Sequence, residues 1–173
     1  MPRWNAVASP SRAPTSGSVP PRRASSLALS LAAPVAAQTM PVGADGLVRV
    51  KSAYPMDETI NRLRADIAAK GIMFFQAVDQ SQLAAKVGIT LRPSTLLEFG
   101  NPPLGAQFLT ANPAAGLDWP VRLLVTQDEA GTVWATWTDF AWIAQRHGIT
   151  NRKEQFATAT KVVESITSTV SVR

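Results

Sequence analysis

The segment VRLLVTQDEAGTVWATWT, residues 121–138, contains two β-strand patterns joined by a short polar loop. Residues 121–126 and 132–138 are rich in Val, Leu, Thr and Trp, which favour an extended backbone. Gly131, in the connection between them, tolerates the positive φ that a tight turn requires. Trp134 and Trp137 are predicted to lie on opposite faces because successive strand side chains alternate. The segment therefore predicts an antiparallel β-hairpin.

Three further strand patterns precede the hairpin, and helical patterns interrupt the strands irregularly. Strands are predicted at residues 47–54, 72–78 and 94–99, and the second is predicted to be buried because of its Phe and Val content. Helices are predicted at residues 55–70, 81–87, 102–112, 139–147 and 151–170. This order, together with the hairpin, predicts an α+β two-layer sandwich with a mostly antiparallel sheet and helices packed on it, not a doubly wound α/β fold.

The last helix has the clearest pattern in the chain. Asn151 and Glu154 are spaced as an N-cap and the third helical residue, which predicts a capping pair at its start. The apolar residues behind them repeat at intervals of three and four: Phe156, Ala159, Val163, Ile166 and Val170. This spacing predicts that one face of the helix is buried against the rest of the domain.

The basic character of the chain is concentrated near its N-terminus. The formal net charge is +5, yet the first 37 residues contain four arginines and no acidic residue. From residue 38 onward there are 13 basic and 12 acidic residues, a net charge of +1. A nearly neutral domain lacks the cationic surface that nucleic-acid phosphates require. The composition therefore argues against a nucleic-acid partner.

Residues 1–37 have the pattern of a cleavable signal peptide. Arg22 and Arg23 precede the apolar run 24–37, in which Val35 and Ala37 occupy the small-residue positions for cleavage before Gln38. The run is shorter than the roughly 20 residues that span a bilayer. The paired arginines also allow a twin-arginine signal, and a disordered Ala/Ser-rich tail is the other alternative. We expect a periplasmic or extracellular protein with one domain at residues 38–173 and no membrane span after removal of the leader.

The chain contains no cysteine and one histidine, His147. Disulfides, thiol chemistry and thiolate metal ligands are therefore excluded, and a single imidazole makes a protein-built zinc or copper site improbable. The sequence predicts no metal and no cofactor.

Several segments match a known family in order and spacing. They are VGITLRP at residues 87–93, LLEFGNP at 96–102, LDWPVRLLV at 117–125, GTVW at 131–134 and AQRHGI at 144–149. On these segments the chain resembles the domain-of-unknown-function 302 (DUF302) family, with a family core at about residues 71–149. The resemblance implies an α+β fold of TATA-binding-protein-like architecture, a homodimer and no established activity. Architecture of this kind does not itself imply DNA binding.

The junction Gly100-Asn101-Pro102 is a candidate ligand site because it leads from a strand into a helix N-terminus. Exposed N–H groups at such a junction can bind an anion, and the Asn101 amide can add a directed contact. The structural alternative is that Gly100 permits the turn, Asn101 caps the helix and Pro102 occupies its first position.

Three acidic residues are further candidates. Asp118 beside Trp119 is either an acid or base next to an indole, or a carboxylate that bonds local backbone before Pro120. Asp139 is most simply a helix N-cap. Glu98 lies on an otherwise apolar strand. If its face is covered, it needs a partner such as Arg122 on a later strand.

These residues support three hypotheses. The first is a protein that binds a small apolar or anionic ligand near Gly100, Asn101, Asp118 and Trp119, without catalysis. The second is an oligomeric structural or interaction module. The third is a hydrolase or isomerase that uses Asp118 or Glu98 together with His147, which requires these groups to lie within hydrogen-bond reach of one substrate atom. Nothing in their spacing demonstrates that geometry, so the sequence leaves the catalytic residues unknown and favours the binding protein.

Overall fold

This computed structural model describes residues 42–172. Five strands are present: β1 Leu47–Lys51, β2 Met73–Asp79, β3 Ser94–Gly100, β4 Val121–Gln127 and β5 Val133–Thr138. The helices are α1 Met56–Ala69, α2 Gln80–Ala85, α3 Pro102–Ala111, α4 Phe140–Arg146 and α5 Lys153–Ser168, with a 3₁₀ helix at Pro113–Asp118. The predicted signal peptide at residues 1–37 lies outside the described residues, so export stays a prediction.

The five strands form one sheet in the order β1-β5-β4-β3-β2, and every neighbouring pair is antiparallel. On the four strands other than β2, most of the alternate residues that face the helices are buried, whereas most of those on the opposite face are half-buried or exposed. Leu63 and Ile67 of α1 and Val163 of α5 belong to the same hydrophobic core as these strand residues. The prediction of an α+β fold with helices packed on an antiparallel sheet is therefore confirmed.

The predicted hairpin connects β4 to β5. Gly131 adopts a φ of 79°, and the Asp128 carboxylate accepts hydrogen bonds from the Thr132 amide at 2.8 Å and the Trp134 indole at 2.8 Å. Trp137 is buried in the core, while Trp134 lies on the other face, as the alternation predicted. Asp128 therefore fixes both the loop and the indole of Trp134.

The hydrogen bonds at Asp128 predict a specific pH dependence. Donation from the Trp134 indole, and then from the Thr132 amide, holds the pKa of this carboxyl below its ordinary value of 3.8. A carboxyl with a depressed folded pKa contributes stability above its unfolded pKa, and this contribution disappears as the pH falls through the folded pKa. We expect Asp128→Asn to lower the free energy of unfolding at a pH of about 6, and the difference to shrink below a pH of about 3.8.

Urea unfolding of the wild type and Asp128→Asn at several pH values measures this effect. The neighbouring Glu129→Gln is the control, because Glu129 makes only an exposed ion pair with Arg92. Such pairs contribute little to stability. A stability difference for Asp128→Asn that stays constant during acidification would show that its hydrogen bonds are not the source.

The prediction that residues 72–78 form a buried strand is wrong. β2 is an edge strand, none of its residues is buried, and the pairing with β3 is irregular between Phe74 and Gln76. Met73 is 52% exposed and Phe75 45% exposed. Apolar composition alone does not distinguish an edge strand from a central one, because strand neighbours are decided by the tertiary fold.

The helix starts agree only in part with the predictions. Asn101 caps α3 by accepting from the Leu104 amide, and Asp139 caps α4 by accepting from the Trp142 amide. The predicted cap of α5 by Asn151 is wrong. The first helical bond of α5 runs from the Phe156 amide to the Arg152 carbonyl, so the helix begins one residue later than an Asn151 cap requires. The apolar stripe of α5 is buried as predicted.

Candidate functional site

A cleft of about 540 Å³ opens between α3, α5 and the edge where β3 ends and β4 begins. Its walls are mainly apolar and aromatic. The principal apolar contributors are Phe99, Leu104, Trp119, Phe140, Ala159 and Val163. Polar side chains are few, and they are Asn101, Gln107, Gln155, Thr158 and Lys70. This is the composition of a site that encloses an apolar molecule and orients it with a few polar contacts.

The local sequence explains one wall of the cleft. β3 ends at Gly100, Asn101 caps the next helix, and two prolines occupy the first two positions of α3. Proline suits these positions because its fixed φ fits the first helical turn. Helix α3 then packs on α5 through stacked Phe108 and Phe156 rings, whose centroids are 4.3 Å apart. This contact holds the two helices that border the cleft against each other.

Trp119 forms the side of the cleft and is positioned by two glycines. A Cβ atom at Gly105 would lie 2.2 Å from Trp119 Cε2, and one at Gly100 would lie 2.5 Å from Cζ2. The indole therefore occupies space that any other residue at either position would need. Phe108 contacts the same ring edge-on, with the two centroids 6.4 Å apart. These contacts fix the wall that Trp119 presents to the cleft.

The α3 N-terminus offers no amide for an anion. Pro102 and Pro103 have no N–H group, and the Leu104 amide donates to Asn101 Oδ1 at 3.2 Å. The Gly105 amide bonds the Asn101 carbonyl. The donors that make a helix start attractive to anions are thus absent or occupied. Gly100 and Asn101 line the cleft, but the geometry gives no support to the anionic ligand that their junction suggested.

Asp118 lies beside the cleft in a separate cluster of charges. Its side chain is 5% exposed, and it bonds His147 Nε2 at 2.6 Å, Arg122 Nη2 at 3.2 Å and Arg146 Nη1 at 3.3 Å. The His147 side chain is 6% exposed, whereas each arginine is nearly half-exposed. Asn112 at the end of α3 donates to the His147 carbonyl at 2.8 Å. The cluster therefore connects the 3₁₀ helix, β4, α3 and the end of α4.

Asp118 and His147 bond each other, whereas the acid–base hypothesis requires both to lie within reach of one substrate atom. The cavity that Asp118 borders has a volume of only about 20 Å³, which holds about one water molecule. Asp118 and His147 are absent from the lining of the larger cleft. Neither cavity therefore gives the pair room for a substrate, and its contact is that of a buried structural hydrogen bond.

Glu98 and Asp139 lie away from the cleft. Glu98 and Arg122, which was named as a possible partner, are direct cross-strand neighbours. Glu98 nevertheless accepts from Gln76 Nε2 at 2.7 Å, and Arg122 bonds Asp118. These side chains lie on the sheet face opposite to the core and are half-buried or exposed, so Glu98 needs no buried partner. Asp139 is the N-cap of α4. Of the six candidates, Gly100, Asn101 and Trp119 line the cleft. Asp118 is the last residue of the 3₁₀ helix and directly precedes Trp119.

Sequence reasoning missed the contribution of α5 to the cleft. Gln155, Thr158 and Ala159 face it, although no local pattern brings them close to Asn101. One local signal was present. Gly105 is an isolated glycine inside a helical pattern, which usually has a packing reason. Here the reason is the close approach of Trp119.

The sequence model described as "Domain of unknown function DUF302" matches residues 48–168. The chain belongs to the DUF302 family. The match extends beyond the predicted family core on both sides and includes every residue that lines the cleft.

Curated relatives of this DUF302 chain are longer proteins. It is 40% identical over 104 residues to "Fluoride-specific ion channel FluC 1" of Brucella suis biovar 1 (strain 1330), which covers 60% of this chain and 41% of the relative. The protein of the same name from Brucella abortus biovar 1 (strain 9-941) is also 40% identical over 104 residues, or 38% of its length. The chain thus spans about two fifths of the curated relatives it matches.

A solved structure has the same fold. It is the "uncharacterized conserved protein DUF302 from Bacillus stearothermophilus", with a TM-score of 0.67 and 22% identity, covering 72% of this chain and 98% of that one. Within residues 42–172 of this DUF302 chain, no helix is long and apolar enough to cross a membrane. The same residues contain no group of three His, Asp or Glu side chains arranged to bind one metal ion.

Proposed function

We propose that this DUF302 domain binds a small apolar ligand in the cleft between α3 and α5 and performs no chemistry on it. The observation that carries the proposal is the cleft itself. Its volume of about 540 Å³ falls within the roughly 300–1,000 Å³ of small-molecule sites. Its mostly apolar walls and few polar side chains favour a ligand whose binding is driven by burial of apolar surface.

The absence of catalysis is supported by the ionisable groups near the cleft. Lys70 is the one ionisable side chain among the described residues that line it, and Lys70 is paired with Asp66. A general acid or base must lie within hydrogen-bond reach of the reacting atom. The Asp118–His147 pair has no adjoining substrate space, so a hydrolase or isomerase is the weakest of the three hypotheses.

Native mass spectrometry of the protein purified with its own leader tests the proposal. We expect additional mass that is bound to the wild-type chain and lost on denaturation. Ala159 is buried in the wall of the cleft, so Ala159→Leu fills part of the ligand volume and should abolish the added mass. Ala157→Leu is the matched control, because Ala157 is exposed on the same helix and does not line the cleft.

Thermal unfolding of both variants separates loss of ligand from loss of fold. A folded Ala159→Leu protein without added mass supports the cleft as the binding site. A wild-type protein that carries no added mass and binds no apolar probe would contradict the proposed function. Equal ligand loss in Ala159→Leu and Ala157→Leu would place binding elsewhere.

We also propose that the domain acts outside the cytoplasm, in the periplasm or extracellularly. The support is the basic and apolar pattern of residues 1–37 with small residues before Gln38. The same mass spectrum tests whether the leader is cleaved, because the expected product is a mature chain that begins at Gln38. An intact Met1 in protein from the exported fraction would contradict cleavage.

A second candidate function is a homodimeric interaction module. It is favoured by four apolar side chains of α2 and the loop before β3, Leu83, Val87, Ile89 and Leu91, which are between 47% and 72% exposed, and by the edge position of β2, which pairs only with β3 among the described residues. Exposed apolar clusters and free strand edges are typical of protein interfaces. If this surface forms the dimer, Ile89→Ser should shift the mass measured by light scattering to that of a monomer, whereas the equally exposed Leu117→Ser should not.

A further inference from the structure

We infer that the ligand of the cleft is uncharged: an apolar body that carries a neutral hydroxyl or carbonyl group. This inference rests on the proposed function and deepens it by naming the chemical class of the ligand. It follows from the charges around the cleft, from the hydrogen-bond state of its polar groups and from the aromatic walls.

A cationic ligand has no counter-charge in the cleft. None of the residues that line it is Asp or Glu. The carboxylate of Asp118 belongs to the neighbouring cluster, where two arginines and His147 already surround it. Moving a cation from water to an apolar site without a compensating charge is strongly unfavourable.

An anionic ligand is also without a free partner. Lys70 is the one cation among the described residues that line the cleft, and its ammonium group bonds Asp66 one helical turn earlier. The α3 N-terminus provides no amide, since Pro102 and Pro103 lack N–H groups and the Leu104 amide is bonded to Asn101. A carboxylate or phosphate in the cleft would lose its hydration without a charged or backbone donor to replace it.

A neutral polar group is matched by the remaining side chains. Gln107 and Gln155 carry amide groups, which both donate and accept hydrogen bonds, and the Thr158 hydroxyl, which donates to the Glu154 carbonyl, still accepts one. Asn101 uses its Oδ1 atom as the helix cap, while its Nδ2 atom makes no hydrogen bond with any residue in the range 42–172. An N–H donor of this kind suits the oxygen of a hydroxyl or carbonyl group.

The test compares three probes with the same apolar chain: 1-octanol, octanoate and octylammonium. Isothermal titration of the full-length protein at neutral pH measures the dissociation constant of each. We expect 1-octanol to bind at least about tenfold more tightly than either charged probe, because only the alcohol enters without losing the solvation of a charge. Ala159→Leu in the same chain identifies the part of the binding that occurs in the cleft.

The possible outcomes separate this inference from the proposed function. Preferential binding of 1-octanol that disappears in Ala159→Leu supports both. Octanoate or octylammonium binding as tightly as the alcohol, and lost in Ala159→Leu, would leave the cleft as a binding site and overturn the uncharged ligand. No cleft-dependent binding of any probe would overturn both.

Discussion

Asp118→Ala is expected to lower the free energy of unfolding by about 2–3 kcal/mol, within the range seen when a buried polar group loses its hydrogen-bond partner. The substitution leaves His147 buried with no acceptor for its Nε2 atom, and it removes the anion that holds Arg122 and Arg146 together. The arginines are nearly half-exposed and regain water, whereas the His147 side chain is 6% exposed and does not. The larger part of the loss therefore belongs to the Asp118–His147 contact.

A double-mutant cycle measures the contribution of the Asp118–His147 contact directly. Asp118→Ala, His147→Ala and the double variant should give a coupling free energy of about 1–2 kcal/mol, as expected for two side chains in one hydrogen-bonded network. Urea unfolding followed by tryptophan fluorescence provides the stabilities. A coupling close to zero would show that Asp118 is stabilised by the arginines alone.

Glu98→Gln is the matched control for loss of a carboxylate. Glu98 is half-buried on the sheet face opposite to the core and bonds only the Gln76 amide among residues 42–172. Its replacement should change the free energy of unfolding by no more than about 0.5 kcal/mol. If Asp118→Ala had an equally small effect, the charge cluster would not have the structural role that its burial implies.

The sheet and most helices could be predicted because their signals are local. The hairpin at residues 121–138 contains its strands and turn in one segment, and α5 shows its buried face in its own spacing. β2 was misjudged because its position at the edge depends on β3, β4 and β5 forming the centre. The Phe residues of β2 are compatible with either position.

The candidate site was also predictable only where its signals are local in the sequence. Gly100, Asn101 and Trp119 were identified from a strand end and a turn, and all three line the cleft. The opposite wall comes from α5, more than thirty residues later in the chain, and only tertiary packing brings it there. Asp118 and His147 were named together as a possible acid–base pair. Their bond across 29 residues could not be inferred from spacing, nor could the lack of room beside it.

Gly105→Ala is expected to have the largest effect on the cleft itself. The new Cβ atom would lie 2.2 Å from Trp119 Cε2. Because Gly100 is also in close contact with this ring, the indole has little room to move away from the new methyl group. Overpacking of this kind costs about 1–3 kcal/mol, while replacing a helical glycine by alanine returns about 1 kcal/mol. We expect a net destabilisation of up to about 2 kcal/mol and at least about tenfold weaker ligand binding, because the wall formed by Trp119 must move.

Gly116→Ala is the control, since its Cβ would meet only the flexible end of Leu109 at 3.3 Å. It should change stability by about 0.5 kcal/mol or less. The decisive comparison is Gly105→Ala in a Trp119→Leu background, where the ring that causes the overlap is absent. There the same substitution should become neutral or stabilising, because only the helix preference of alanine remains. If Gly105→Ala destabilises both backgrounds equally, its effect comes from another contact of α3, and Gly105 does not serve to seat Trp119.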